Sequence, residues 1–68
     1  MRFTVELELE ADGRWIAEVP DLPGALAYGK SKVDALAAVE ALALRVLADR
    51  LENGEVGPEP ISVSFVAA

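Results

Sequence analysis

The chain has 68 residues, 53% of them hydrophobic, and its 12 acidic and six basic residues give a net charge of −6. Six dispersed cations can replace few phosphate counterions, so the charge argues against nucleic-acid binding by this chain alone and favours a basic protein as partner. There is no cysteine or histidine. This absence excludes disulfides, thiolate or imidazole metal ligands and a histidine base, and we expect neither a bound metal nor a cofactor.

The length predicts one domain over residues 1–68, near the size at which a single core only just offsets chain entropy. Association with a second copy would relieve that deficit, so we expect a homodimer or a higher oligomer. The segment Met1–Glu6 lacks the pattern of a signal peptide, and charges interrupt every apolar run. We therefore expect a cytoplasmic protein without membrane contact.

The first element is an alternating segment that predicts a strand with one buried face. Its apolar residues are Phe3, Val5, Leu7 and Leu9, and its polar residues are Thr4, Glu6, Glu8 and Glu10. The turn Ala11–Gly13 predicts a three-residue hairpin loop with a left-handed glycine. The resulting register sets Glu10 against Arg14, Leu9 against Trp15, Leu7 against Ala17 and Val5 against Val19.

The segment Pro20–Gly24 must turn the chain, because it has two prolines and a glycine in five residues. It is either a rigid connector or a partner-binding loop with Asp21 at its centre. The next run, from Ala25 to Tyr28, is too short for a helix and predicts a third strand. Ala25 and Ala27 would then face a helix, and Leu26 and Tyr28 would join Ile16 in an apolar patch on the opposite face.

A long helix is predicted from Lys32 to about Glu52, with Ser31 and Asp34 as a capping box and Asn53-Gly54 at its end. Glu40 lies inside its apolar face and is either a functional carboxylate or an edge residue that reaches solvent. The apolar arc is broader than one sheet contact requires, which indicates very close packing or a second neighbour. Its members are Val33, Leu36, Val39, Leu42, Ala43, Leu44, Val46, Leu47 and Leu51.

A linker from Glu55 to Pro60 leads to the last predicted strand, in which Ile61, Val63 and Phe65 alternate with serines. The element order is therefore β-β-β-α-β. This order predicts an α+β fold in which three strands form an antiparallel meander and a helical crossover brings the last strand parallel to the first. The helix would cover one face of the sheet.

Several motifs resemble the HicB-like antitoxin family. They are the turn Val19–Gly24, Gly29-Lys30-Ser31, Asp34-Ala35-Leu36, Glu40-Ala41-Leu42, Asp12–Trp15 and Pro58-Glu59-Pro60. The pattern departs at Ala25, where cysteine is common, and at Ala27, where Ser or Thr is common. The resemblance implies a truncated ribonuclease H-like fold and a protein that masks a small basic RNA-cleaving toxin. Family antitoxins usually carry a DNA-binding segment after this module, and here only Val66-Ala67-Ala68 follow, so we expect no operator binding by this chain alone.

We expect no enzyme activity, because a two-metal nuclease needs carboxylates that converge on the ions. Here the glutamates of the first strand point away from the face that Glu40 approaches, and no histidine is present to activate a serine. No residue is therefore assigned a catalytic role.

Two candidate binding sites remain, and neither has a catalytic residue. The first is a carboxylate stripe that comprises Glu6, Glu8, Glu10 and Glu18, with Asp21 of the turn beside it. This stripe either binds a basic toxin or is a solvated face of the sheet. The second is an oligomer interface formed by Ile16, Leu26 and Tyr28. The helix around Leu42 and Val46 is a rival interface. The alternative function is an orphan module of the same fold that self-associates or binds a small ligand.

Overall fold

The computed structural model describes residues 1–55 and 60–68. The strands are β1 (Arg2–Leu9), β2 (Trp15–Glu18), β3 (Leu26–Gly29) and β4 (Ser64–Ala67), and the helix is α1 (Lys32–Glu52). The four strands form one sheet in the order β3-β2-β1-β4, with β4 parallel to β1 and the other neighbours antiparallel. The helix packs on one face, so the predicted α+β fold and its β-β-β-α-β order are confirmed. Most of the predicted linker, residues 56–59, lies outside the described residues.

The β1–β2 hairpin has the predicted register. Leu9 lies opposite Trp15 and Leu7 opposite Ala17. The Glu10 amide donates to the Arg14 carbonyl at 2.7 Å, and the Gly13 amide donates back to the Glu10 carbonyl at 3.0 Å. Gly13 has a φ of 89°, the left-handed conformation that closes a three-residue loop with little steric cost.

The segment 20–24 consists of two consecutive tight turns around a buried leucine. The Leu22 amide donates to the Val19 carbonyl at 3.0 Å, and the Ala25 amide donates to the Leu22 carbonyl at 2.9 Å. Each turn has proline at its second position, and Gly24 takes a φ of 91° in the second turn. Leu22 is only 1% exposed and is part of the core. These contacts support the rigid-connector interpretation of this segment.

Both ends of α1 agree with the sequence prediction, although the N-terminal cap is simpler than expected. The Ser31 hydroxyl accepts from the Asp34 amide at 3.1 Å, but the Ser31 amide does not donate to the Asp34 carboxylate, so only half of the capping box forms. At the other end, the Glu55 amide donates to the Arg50 carbonyl and the Gly54 amide to the Leu51 carbonyl. With Gly54 at a φ of 72°, this is the Schellman arrangement.

The helix buries a narrow stripe, which corrects the predicted apolar arc. The buried residues are Ala35, Val39, Ala43 and Leu47. Ala35 was absent from the predicted arc, whereas three predicted members, Val33, Leu44 and Leu51, are exposed. The physical reason is close packing on β3, because a Cβ on Gly29 would lie only 2.3 Å from the Ala35 amide nitrogen. At this separation the sheet meets one row of side chains, at every fourth helix position, rather than a broad arc.

The last strand is shorter than predicted and begins at Ser64. Ile61 precedes it and is 44% exposed. Within β4, Phe65 lies opposite Phe3, and the two rings stack with their centroids 5.9 Å apart. Among the described residues, no helix combines the length and the apolar character needed to cross a membrane.

Candidate protein-binding face

The sheet face opposite α1 carries most of the residues that the sequence singled out. Val5 and Ala17 are buried on the helix side, so the residues alternating with them face solvent. Six of these solvent-facing residues form two rows across three strands, and we call this surface the outer face. One row is Glu6, Glu18 and Leu26, and the other is Glu8, Ile16 and Tyr28.

The outer face has an acidic side and an apolar side. Strand β1 contributes Glu6 and Glu8, and β3 contributes Leu26 and Tyr28, which are 40% and 45% exposed. Between them, β2 contributes one residue of each kind, the exposed Glu18 and the half-buried Ile16. Neighbouring strands lie about 4.8 Å apart, so the carboxylates and the apolar side chains are within reach of the same partner.

The predicted partner site and the predicted oligomer interface are therefore one surface. Glu8 lies directly opposite Ile16, and Glu18 lies directly opposite Leu26. A second copy and a different protein cannot both cover this surface at once. Residue alternation predicts that the carboxylates and the apolar residues lie on the same face, but it does not predict that they form a single surface.

Arg14 also belongs to this face, because it contacts Tyr28, although the residue pattern predicts no role for it there. Its guanidinium carbon lies 4.4 Å from the centroid of the Tyr28 ring, within the range of a cation–π interaction. The Arg14 Nε donates to Asp12 Oδ2 at 2.7 Å, and its amide donates to Asp12 Oδ1 at 3.0 Å. The sequence does contain a signal for this contact, because Arg14 lies two residues before Ile16 and would therefore share its face of the sheet. Ile16 lies opposite Tyr28.

The contact between Asp12 and Arg14 shifts both titrations. The backbone hydrogen bond from Arg14, followed by its side-chain hydrogen bond, lowers the pKa of Asp12. The hydrogen bond to Asp12 raises the pKa of Arg14. Both groups therefore keep their charges over a wider pH range than they would in isolation, and Arg14 stays held beside Tyr28.

Two of the predicted partner-binding residues lie outside the two rows. Glu10 follows β1 and is half-buried in the hairpin, where its backbone bonds with Arg14 and Gly13. Asp21 is exposed in the first turn after β2. The structure thus brings together Glu6, Glu8 and Glu18, whereas Glu10 and Asp21 follow the ends of two antiparallel strands and lie beyond opposite edges of the outer face along the strand direction.

The helix also carries exposed apolar residues. Val33 is 75% exposed and Leu44 is 50% exposed. The predicted rival interface around Leu42 and Val46 is half-buried, and Val46 packs against the core, so the accessible part of this surface is centred on Leu44 instead.

Glu40 is half-buried on the helix side of the sheet, away from the carboxylates of β1. Within residues 1–55 and 60–68, no group of three or more acidic side chains is arranged to hold a metal ion. No pocket opens in the same part of the chain.

The chain is a small α+β module whose outer face exposes acidic and apolar side chains together. No protein-family model, no curated protein and no solved structure matches the chain. The functional argument therefore depends on the geometry of the outer face.

Proposed function

We propose that this chain is an antitoxin-type module, similar to the HicB-like antitoxins, that binds and masks a small basic RNA-cleaving toxin in the cytoplasm. The observation that carries the proposal is the outer face, where Glu6, Glu8 and Glu18 lie beside exposed apolar side chains. The strand and helix order agrees with the fold that the sequence resemblance implies.

The physical basis is competition for the cations that an RNA-cleaving protein uses. Such a protein holds phosphates with Lys and Arg, and exposed carboxylates can attract the same side chains and speed the encounter. The apolar residues Leu26 and Tyr28 would add burial of apolar area on the β3 side of the contact, which a purely ionic contact does not provide. A toxin bound in this way cannot reach RNA.

We propose a binding role without catalysis. The chain should not cleave RNA with Mg²⁺ or Mn²⁺ present, because Glu40 and the carboxylates of β1 lie on opposite faces of the sheet. Metal-dependent cleavage that disappears in Glu40→Gln, with the fold intact, would contradict this part of the proposal.

The test uses the product of a neighbouring gene that encodes a short basic protein. Purified toxin candidate should cleave RNA alone, and an equimolar amount of this chain should stop cleavage and form a complex on size-exclusion chromatography. An unrelated acidic protein of similar net charge serves as the control and should leave cleavage unchanged. Unchanged cleavage with an excess of this chain, and no complex, would refute the proposal for that pair.

A second candidate function is an orphan module that only self-associates. The observation favouring it is the amount of apolar surface left exposed on both the outer face and the helix, including Tyr28 and Leu44. A stable dimer that binds no basic protein would favour this alternative.

A further inference from the structure

We infer that the outer face binds one segment of a basic protein, with apolar side chains along one flank of that segment and Lys or Arg along the other, and that a second copy of this chain does not cover the face. The inference rests on the proposed function for the existence of a basic partner. It adds the surface that is used and the pattern of side chains that the surface requires.

The first step is the separation of charge across the face. Acidic residues lie on β1 and exposed apolar residues on β3, two strand spacings or about 10 Å apart. An α-helix is about 10 Å wide, so one helix can contact both sides at the same time. The four-residue strands are about 13 Å long, which corresponds to two or three helical turns. The face therefore fits a short helix with adjacent apolar and basic stripes.

The second step concerns a second copy of the chain. A two-fold interface uses the same patch on both subunits, so it would bury two copies of Glu18. Glu18 lies between Leu26 and Glu6 in its row. A buried carboxylate needs a paired cation. Within residues 1–55 and 60–68 no cation forms an ion pair with Glu18, and Arg14 is already bonded to Asp12.

The third step is that a basic partner removes this penalty. Its Lys or Arg would neutralise Glu18 and the neighbouring Glu8, while its apolar side chains would cover Leu26 and Tyr28. Tyr28 suits such a contact, because its ring is already fixed on one side by Arg14 and it can bury area with little loss of rotamer freedom.

The test uses a labelled peptide of about ten residues, held helical by a side-chain crosslink because so short a helix is marginal in water, with a leucine stripe beside a lysine stripe. The control peptide has the same composition, with leucine and lysine distributed evenly around the helix. Fluorescence anisotropy gives the affinities, and amide chemical shifts in NMR locate the contact. We expect the striped peptide to bind more tightly than the control and to shift residues of β1, β2 and β3 rather than those of α1.

Matched variants of this chain test the two sides of the face. Leu26→Ser should weaken peptide binding by about fivefold or more, whereas Leu44→Ser, at a similarly exposed leucine on the helix, should change it by less than about twofold. Glu8→Gln should weaken binding and reduce its salt dependence, and Glu52→Gln, an exposed carboxylate at the end of α1, should not.

Three results from the peptide and sedimentation experiments would overturn the inference. They are equal binding of the two peptides or no binding of either, equal effects of Leu26→Ser and Leu44→Ser, and a dimer in solution that Leu26→Ser breaks while Leu44→Ser leaves it intact. The last result would assign the face to a second copy. A basic toxin that Leu26→Ser and Glu8→Gln each neutralise as well as the wild type does would also overturn the inference and leave the proposed function standing. Striped-peptide binding at the outer face without any toxin neutralisation would do the reverse.

Discussion

Gly29→Ala is the substitution for which the structure makes the sharpest quantitative prediction. A Cβ at this position would lie 2.3 Å from the Ala35 amide nitrogen and 2.8 Å from both the Ala35 Cα and the Asp34 carbonyl carbon. All three atoms belong to the helix backbone, so no side chain can rotate away. To reach ordinary contact, at 3.4 Å or more, the first turns of α1 must withdraw from β3 by about 1 Å.

We expect this withdrawal to cost about 3 kcal/mol, at the upper end of the range for overpacked cores. A domain of this length has a total stability of about 3–10 kcal/mol, so the loss is a large fraction of it. For a small domain this corresponds to a fall in Tm of roughly 15 °C. Thermal and urea unfolding, followed by far-UV circular dichroism, measure both quantities.

The matched control is Gly13→Ala. Gly13 has a φ of 89° and nothing within 4 Å of a built Cβ, so its substitution introduces backbone strain without a clash. This strain costs about 1–2 kcal/mol, less than the expected loss at Gly29. A Gly29→Ala protein within about 0.5 kcal/mol of wild type, or a larger loss in Gly13→Ala, would refute the close packing of α1 on β3.

Three further predictions follow from burial, charge and exposed apolar area. Leu22→Ala should lower the free energy of unfolding, measured in urea, by about 2–5 kcal/mol, because Leu22 is buried. Leu9→Ala, at a 56% exposed position, should change it by less than about 0.5 kcal/mol. Similar losses in the two variants would contradict the assignment of Leu22 to the core. The pKa of Asp12 is lowered, so its carboxylate contributes stability above its ordinary pKa of 3.8 and loses that contribution as the pH falls through the folded-state value. Asp12→Asn should therefore have a lower urea midpoint than wild type at neutral pH, and the difference should vanish in acid; a constant difference would contradict the linkage. Sedimentation should show that the wild type is a dimer, that Tyr28→Glu is also a dimer and that Leu44→Glu is a monomer, because the carboxylates oppose self-association through the outer face. A monomeric wild type would contradict the expected self-association. Loss of the dimer only in Tyr28→Glu would show that the interface is the outer face.

The parts of the fold that the sequence predicts well are those with local physical causes. Alternation in β1 and the left-handed Gly13 determine which residues of the hairpin face each other. Ser31 and Gly54 mark the ends of α1, because each satisfies backbone groups that a helix end leaves unpaired. These interactions join residues only a few positions apart, so a single sequence contains the information.

Other features depend on contacts between distant segments. Leu22 is one leucine in a turn, with no periodic neighbours, so nothing in the local pattern marks it as buried. Apolar residues occur around much of α1, and the choice of Ala35 over Val33 for the buried stripe depends on how closely the helix approaches Gly29. The sequence of the helix alone contains no information about its distance from Gly29.

The candidate site divides in the same way. Residue alternation placed Ile16, Leu26 and Tyr28 on the face that also carries the glutamates, and the register agrees. It did not reveal the contact of Arg14 with Tyr28, which joins a hairpin loop to a separate strand. The occupant of the face is another molecule, so its identity follows from complementarity and experiment.

The pairing of β4 with β1 has a consequence for the order in which the chain folds. Leu9 and Trp15 meet after a loop of about six residues, whereas Phe3 and Phe65 meet after one of about 60, which makes closure of the second pairing about 2 kcal/mol more costly in chain entropy. The two hairpins can therefore form early from local contacts, and β4 joins once α1 has brought the chain back across the sheet. Until then β1 is an edge strand with unpaired backbone groups, and a nascent chain is most prone to pair with another chain during that interval.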